Sequence, residues 1–262
     1  MIQMTDRGRK AIKAIVPAAV LITVGLLIIL GLHYYGQKLQ PSQETGKTLG
    51  KRDVVDNFHQ LWYMNRKTWM KNKWLGVQTR QNPMDIWITQ EIIAETKPDF
   101  IVETGTFYGG SALVWATILQ HVNRKGRVIT VDITDLTQEA KKLSLWKEKV
   151  DFFLGSSVAP EVLSAVRKRV EGKKVLVILD SDHHKDHVLK ELFAYSPFVQ
   201  VGGYIIVQDT NTNGHPVIPG WGPGPMEAVE EFLAVDKHFE SDLGRERLLL
   251  TFCPLGFLKR VN

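Results

Sequence analysis

Four apolar, β-branched runs in this chain each end on an acidic residue: Phe100–Glu103, Arg127–Asp132, Val175–Asp180 and Tyr204–Asp209. Runs without polar alternation form strands buried on both faces, which requires a parallel sheet with helices on either side. Between the runs lie stretches of helical length. The expected rhythm is strand 100–104, helix 110–122, strand 127–132, helix 137–147, strand 150–154, helix 158–170, strand 174–180, helix 184–194 and strand 199–208, then a Gly/Pro-rich loop and helix 226–235. The run Leu248–Phe252 comes last. The fold class is therefore α/β, a doubly wound, mostly parallel Rossmann-like sheet. Such sheets bind ligands at the carboxyl ends of their strands. A fold does not need carboxylates there; a site does.

The N-terminal part constrains the setting. Ala14 to Leu32 is 19 residues without a charge, followed by Tyr34 and Tyr35. This approaches the ~20 residues of a membrane-spanning helix. The expected domains are a basic flank at 1–13, a transmembrane helix at 14–36, a linker at 37–52, a helical cap segment at 53–98 and a catalytic domain at 99–262. A single-pass membrane protein follows, in contact with a lipid bilayer through 14–36. The basic flank favours a catalytic domain outside; Lys38, Lys47, Lys51 and Arg52 after the span weaken that bias. Residues 1–80 hold 13 Lys/Arg against 4 Asp/Glu, so the net +5 leaves −4 for residues 81–262. A positive balance confined to the membrane-proximal part fits an anionic lipid surface and not nucleic acid. The one cysteine, Cys253, excludes an internal disulfide and a multi-cysteine zinc site.

In the cap segment, Asp53 to about Lys73 shows helical spacing of apolar residues with Asp53 as N-cap, and Met84 to Thr96 shows a second helix. The aromatic stretch 58–74 and the loop 213–225 with Trp221 are candidate lids.

Four motifs bear chemistry. Glu103-Thr-Gly-Thr-Phe-Tyr-Gly-Gly-Ser111 joins a strand to a helix, with Gly105, Thr106, Gly109 and Ser111 placed to approach a ligand at a helix N-terminus. The spacing is not the G-x-G-x-x-G of dinucleotide enzymes, which disfavours a NAD-dependent oxidoreductase. Asp132 suits ribose hydroxyls. Gly155-Ser156-Ser157 offers small polar residues for a base pocket. Finally, Asp180-Ser-Asp-His183-His-Lys-Asp-His187 pairs with Gln208-Asp209-Thr-Asn211. Asp180 and Asp209, with the Gln208 carbonyl, would make a hard oxygen site for Mg²⁺, and His183 a general base. His183 and His187 have zinc-helix spacing but lack the Glu of H-E-x-x-H. His184-x-Asp186 matches an iron motif typical of jelly rolls, which the α/β rhythm contradicts.

The glycine loop, Asp132, L-D-S-D-H-x-x-x-H-V-x-x-E-L (179–192), G-G-Y-x-I-V-x-D-T (202–210), G-P-M-E-A-V-x-E-F-L (224–233) and the ending 245–260 resemble the cephalosporin hydroxylase family. That family has the fold of class I S-adenosylmethionine-dependent methyltransferases and includes rhamnosyl O-methyltransferases. The resemblance covers about residues 55–260. It implies that Glu103, Gly105, Thr106, Gly109, Ser111, Asp132, Ser156 and Asp180 hold S-adenosylmethionine, that Asp180, Gln208 and Asp209 hold Mg²⁺, and that His183 and Asp180 are catalytic. Where related enzymes carry a Glu-Asp pair, this chain has Gln208-Asp209, one negative charge fewer. The expected activity is O-methylation of a sugar, glycolipid or similar small molecule, including a lipid-linked saccharide, by a membrane-anchored enzyme that is compatible with a homo-oligomer. The alternative is a membrane-tethered binding protein of the same fold without catalysis.

Overall fold

A seven-stranded sheet organises residues 50–262, the part of the chain that the computed structural model describes. The elements are α1 (Lys51–Met64), β1 (Lys73–Trp74), β2 (Val77–Gln78), α2 (Pro83–Thr96), β3 (Phe100–Thr104), α3 (Gly110–Val122), β4 (Arg127–Asp132), α4 (Ser144–Lys149), β5 (Val150–Leu154), α5 (Pro160–Val170), β6 (Val175–Leu179), α6 (Lys185–Tyr195), β7 (Tyr204–Val207), α7 (Pro225–Val235), β8 (Phe239–Ser241) and β9 (Phe257–Arg260). The sheet order is β5-β4-β3-β6-β7-β9-β8, with the first five strands parallel and β9 antiparallel to both its neighbours. The chain runs outward from β3 to β5, then returns to place β6 beside β3. That reversal opens a crevice between β3 and β6.

Period-two burial explains the layers. Leu176 and Ile178 of β6 pack with α2 and α3 on one face. Val175, Val177 and Leu179 pack with α5, α6 and α7 on the other. The β1–β2 ribbon is separate and antiparallel.

Several boundaries differ from the sequence reading. Residues 51–52 belong to α1, not to a linker. Gly50 is the N-cap of α1, and Asp53 stands three residues in, its Oδ2 accepting from the Gly50 N–H at 3.0 Å. The helix stops at Met64 because Asn65 is extended, and only a short 3-10 turn, Trp69–Lys71, follows. The stretch expected as helix 137–147 splits into a 3-10 turn at Ala140–Lys142 and α4. The strand expected at 199–208 is only Tyr204–Val207, since Gly202 turns the chain with φ +82°. The run 248–252 forms no strand, and the closing strand is β9. The expected transmembrane helix 14–36 and the basic flank lie outside the described residues. Among the described residues no helix is long and apolar enough to cross a membrane.

Candidate active site

The acid-tipped strands do converge on one edge of the sheet, and the glycine loop fixes how closely. Gly105 has φ +84°, and a Cβ there would lie 1.9 Å from the Asp180 carbonyl oxygen. Only glycine lets the β3 turn pass this near to β6. The loop ends at Gly109, the N-cap of α3 (φ +85°), where a Cβ would meet the Trp146 ring at 2.5 Å. Gly109 therefore serves the turn and its packing, and it lines neither cavity described below.

Two adjoining cavities open here. One, of about 380 Å³, is walled by Tyr63, Trp69, Arg80, Gly105, Thr106, Phe107, Ser111, Asp132, Asp180, His183 and Asp209. The other, of about 370 Å³, is walled by Gly105, Val131, Asp132, Gly155, Ser156, Ser157, Ser181 and His187. Gly105, Asp132 and Ser181 belong to both. Asp132 accepts from the Phe107 N–H at 2.8 Å and the Thr134 N–H at 2.9 Å, so the loop is tied to the end of β4. Thr106 shares a 2.7 Å hydrogen bond with Thr130.

Asp180, His183 and Asp209 form the one group of three or more His, Cys, Asp or Glu side chains, among the described residues, spaced to hold a metal ion. Their ligand atoms lie within 4.8 Å of one another. His183 Nε2 stands 3.3 Å from Asp209 Oδ2, and Gln81 Nε2 donates to Asp180 Oδ2 at 2.7 Å. Burial raises the Asp180 carboxyl well above the usual range, and the charges of Asp209 and Glu103 push it further. Burial also raises Asp209, while His183 opposes the shift. Two carboxylates without a full positive counter-charge are what a hard cation would relieve. Asp209 itself is held at φ +55°, a left-handed conformation rare outside glycine, with its carbonyl oxygen accepting from the Thr212 N–H and hydroxyl.

Besides Gly109, two expected site residues stand elsewhere. Glu103 is fully buried and turned toward α3, where it accepts from Trp115 Nε1 at 2.8 Å and the Thr130 hydroxyl at 2.7 Å. Burial raises it to about 7. It lines neither cavity, so it acts on a ligand only through its neighbours. Gln208 is also turned away: its Oε1 accepts from Cys253 Sγ at 3.2 Å. Both residues lie beyond the end of β7, where the positive φ of Asp209 turns its side chain to the cavity while Gln208 meets Cys253. His183 takes the third place. His187 pairs instead with Ser157 at 3.1 Å and Glu191 at 3.4 Å, which separates it from His183 and removes the zinc spacing as a site.

The sequence reading missed Arg80 and Gln81. Arg80 lies over the Phe107 ring at 4.3 Å, forms no ion pair among the described residues, and its buried Nε has no hydrogen-bond partner. A lone cation before a helix gives no sequence signal of facing a loop 25 residues onward. The aromatic wall is built around Phe252. Tyr63 lies 5.1 Å and Trp69 5.5 Å from its ring, and His59 stacks on it at 5.8 Å. Burial lowers the His59 imidazole to about 4, so it is neutral and accepts from Asn211 Nδ2 at 2.9 Å.

Comparison with known proteins identifies the family. A family model described as rhamnosyl O-methyltransferase/CmcI matches residues 66–261. The chain belongs to that family. Similar proteins include the rhamnosyl O-methyltransferase of Mycobacterium tuberculosis (strain ATCC 25618 / H37Rv), 35% identical over 211 residues, covering 79% of this chain and 85% of the relative. The Mycobacterium leprae (strain TN) protein of the same description is 34% identical over 213 residues, covering 79% and 90%. A CmcI structure recorded with Mg and SAM shares the fold at 17% identity and a TM-score of 0.55, over 74% of this chain and 78% of that one. An apo CmcI structure aligns at 18% identity and the same TM-score, over 74% and 77%. The enzyme is an S-adenosylmethionine-dependent O-methyltransferase. For this methyltransferase Gly105 and Asp132, which line both cavities at the ends of β3 and β4, are the residues whose placement fits the cofactor.

Proposed function

We propose that this methyltransferase acts on a hydroxyl of a sugar carried by a glycolipid or another membrane-near saccharide, assisted by Mg²⁺. The observation that carries the reading is the cluster of Asp180, His183 and Asp209, which shares one cavity with the glycine loop. Bound S-adenosylmethionine supplies the electrophilic methyl group, and a divalent cation would lower the pKa of a nearby hydroxyl. Asp180 and Asp209 are the residues that would hold the cation, since carboxylate oxygens suit Mg²⁺. Gln208, turned toward Cys253, takes no part in this.

The remaining work falls to the protein's own side chains. His183 receives the acceptor's hydroxyl proton on its imidazole, and Asp209 stabilises the imidazolium that forms. Gln81 holds the Asp180 carboxylate in place. Tyr63 and Trp69 present rings to the cavity, a surface suited to the apolar face of a sugar. Positioning of the acceptor oxygen against the methyl group supplies much of the rate. The relatives' description as rhamnosyl enzymes supports a deoxysugar acceptor. The uncharged stretch 14–32 supports a single-pass anchor over 14–36 that keeps the enzyme beside lipid-borne acceptors. Cofactor supply favours a catalytic domain on the cytosolic side, against the charge bias of the basic flank.

The test is turnover of a rhamnosyl glycolipid with S-adenosylmethionine, with and without chelator. Asp180→Asn is expected to lower turnover at least about a hundredfold and abolish the response to added Mg²⁺, with S-adenosylhomocysteine still bound. His183→Ala is expected to lower turnover by about 10²–10⁴. Full activity of Asp180→Asn in chelator would sink the metal-assisted reading.

A further inference from the structure

Helix α1 is amphipathic in an unusual sense. One side faces the protein: His59 is buried, and Tyr63 lines the larger cavity. The side turned to solvent is also apolar. Val54, Phe58 and Leu61 follow at intervals of four and three, with Met64 one further turn on, and they are 52%, 50%, 69% and 66% exposed. A helix on the surface of a globular domain normally turns its apolar stripe inward. Clustered large apolar side chains facing out mark a surface that something covers.

We propose that the outer face of α1 docks on an anionic lipid bilayer, so that the helix walling the acceptor cavity lies at the membrane surface. Charge selects this occupant. Residues 51–73 contain six basic residues (Lys51, Arg52, Arg66, Lys67, Lys71 and Lys73) and two acidic ones. All six basic residues are exposed. Of the acids, Asp53 is folded back onto the Gly50 N–H, and Asp56 pairs with Arg52 at 3.8 Å. An apolar stripe flanked by Lys and Arg is the pattern of a helix lying in the interface of an anionic membrane. It is not the pattern of a self-complementary dimer face, where six like charges would meet six more. Chain length agrees. Fourteen residues, 37–50, separate the expected span 14–36 from α1, and even fully extended they reach at most about 50 Å. This step rests on the membrane-anchor reading for proximity alone; the docking face is independent of it.

The geometry has a functional consequence. Tyr63 and the outer stripe are on one short helix, so a docked α1 brings the cavity wall to the height of lipid headgroups. A sugar carried on a lipid then reaches the site without leaving the membrane.

The experiment uses the full chain with Leu61→Cys, labelled with an environment-sensitive fluorophore, in nanodiscs of phosphatidylcholine with or without phosphatidylglycerol. Cys253 is buried, and Glu240→Cys on the edge strand β8 serves as control. The expected result is a blue shift and protection from iodide at position 61, larger with phosphatidylglycerol, and neither at position 240. No lipid-dependent change at position 61 overturns the proposal. So does a shift already present without lipid in an amphipathic polymer: if concentration-dependent it reports a second copy, and if not, coverage by residues 1–49. Carbonate extraction of native membranes reports the anchor separately. An extracted chain whose label still shifts on phosphatidylglycerol vesicles refutes the anchor and keeps the docking face. As a second variant, Phe58→Glu with Leu61→Glu is expected to slow methylation of a lipid-borne rhamnoside about tenfold or more, the factor set by one buried leucine. The rate on a soluble rhamnoside should be unchanged; equal slowing on both overturns the proposal.

Discussion

Glu103→Gln should make this enzyme more stable at high pH relative to the wild type, although it removes a carboxylate from the most glycine-rich loop of the site. Glu103 is fully buried, and burial raises it from an ordinary 4.5 to about 7 even though Thr130, Ser111 and Trp115 all favour its charge. The sign follows from linkage. A carboxyl raised in the folded state contributes its stability below the unfolded value of 4.5 and loses it as pH climbs through 7. Raising the carboxyl from 4.5 to about 7 on folding is worth roughly 3 kcal/mol in full, of which roughly 2.5 kcal/mol develops between pH 5 and pH 9. Glutamine is neutral throughout. Its Oε1 can accept from Trp115 Nε1, and its amide can donate to Thr130, whose hydroxyl then donates to Thr106. The measurement is thermal unfolding of wild type and Glu103→Gln at pH 5 and pH 9. The difference between the two proteins should shift by about 5–10 °C in favour of the variant at pH 9. S-adenosylhomocysteine affinity at pH 5 should change by less than about threefold, because the side chain lines neither cavity. A stability difference that is the same at both pH values would refute the argument, and a large affinity loss at pH 5 would return Glu103 to direct cofactor contact.

Three further outcomes follow from the geometry. Arg80→Gln should weaken S-adenosylhomocysteine about tenfold in calorimetric titration while leaving 5′-methylthioadenosine, which has no carboxylate, unchanged, because Arg80 stands beside the glycine loop with no ion-pair partner among the described residues. Gly105→Ala should abolish cofactor binding or folding, as a methyl 1.9 Å from a carbonyl oxygen cannot be accommodated without moving β3 from β6. Gln208→Glu should lower thermal stability, by about 2 kcal/mol or more, without tightening Mg²⁺ binding in titration, since the new charge would be buried against Cys253.

The sheet was legible because its strands are written in continuous apolar runs, and their order was legible in class because strands alternate with helices. The edge on which function gathers was legible for the same reason: Asp132, Asp180 and Asp209 stand where the runs end. What the runs could not show is direction. Glu103 still lies within β3, so the pleat decides its face, and Trp115, twelve residues onward on α3, is the partner that draws it inward. Gln208 and Asp209 are adjacent, and a positive φ at Asp209 turns one to the cavity while the other meets Cys253. Arg80 and Gln81 precede the sheet altogether. They reach the site only because the β1–β2 ribbon lies so close to α3 that a Cβ at Gly110 would stand 2.2 Å from the Gln78 carbonyl oxygen. Local pattern carries no information about such a crossing.

Gln81 and Tyr63 bring the segment before the sheet to the candidate site. Gln81 donates to the Asp180 carboxylate, and Asp180 is pressed against Gly105. Tyr63 stands in the same cavity and is tied through Phe252 to the chain just before β9. Phe252 is fixed in turn by Asp85 of α2, which accepts from its N–H at 2.7 Å and from the Thr251 hydroxyl at 2.6 Å. On the proposed function, the acceptor side of the site is assembled from both ends of the described chain, and the cofactor side from the ends of the consecutive strands β3, β4 and β5. Consecutive strands carry a cofactor grip that many acceptors can share. The two ends of the unit, meeting at Phe252, are where acceptor choice has room to differ without disturbing that grip.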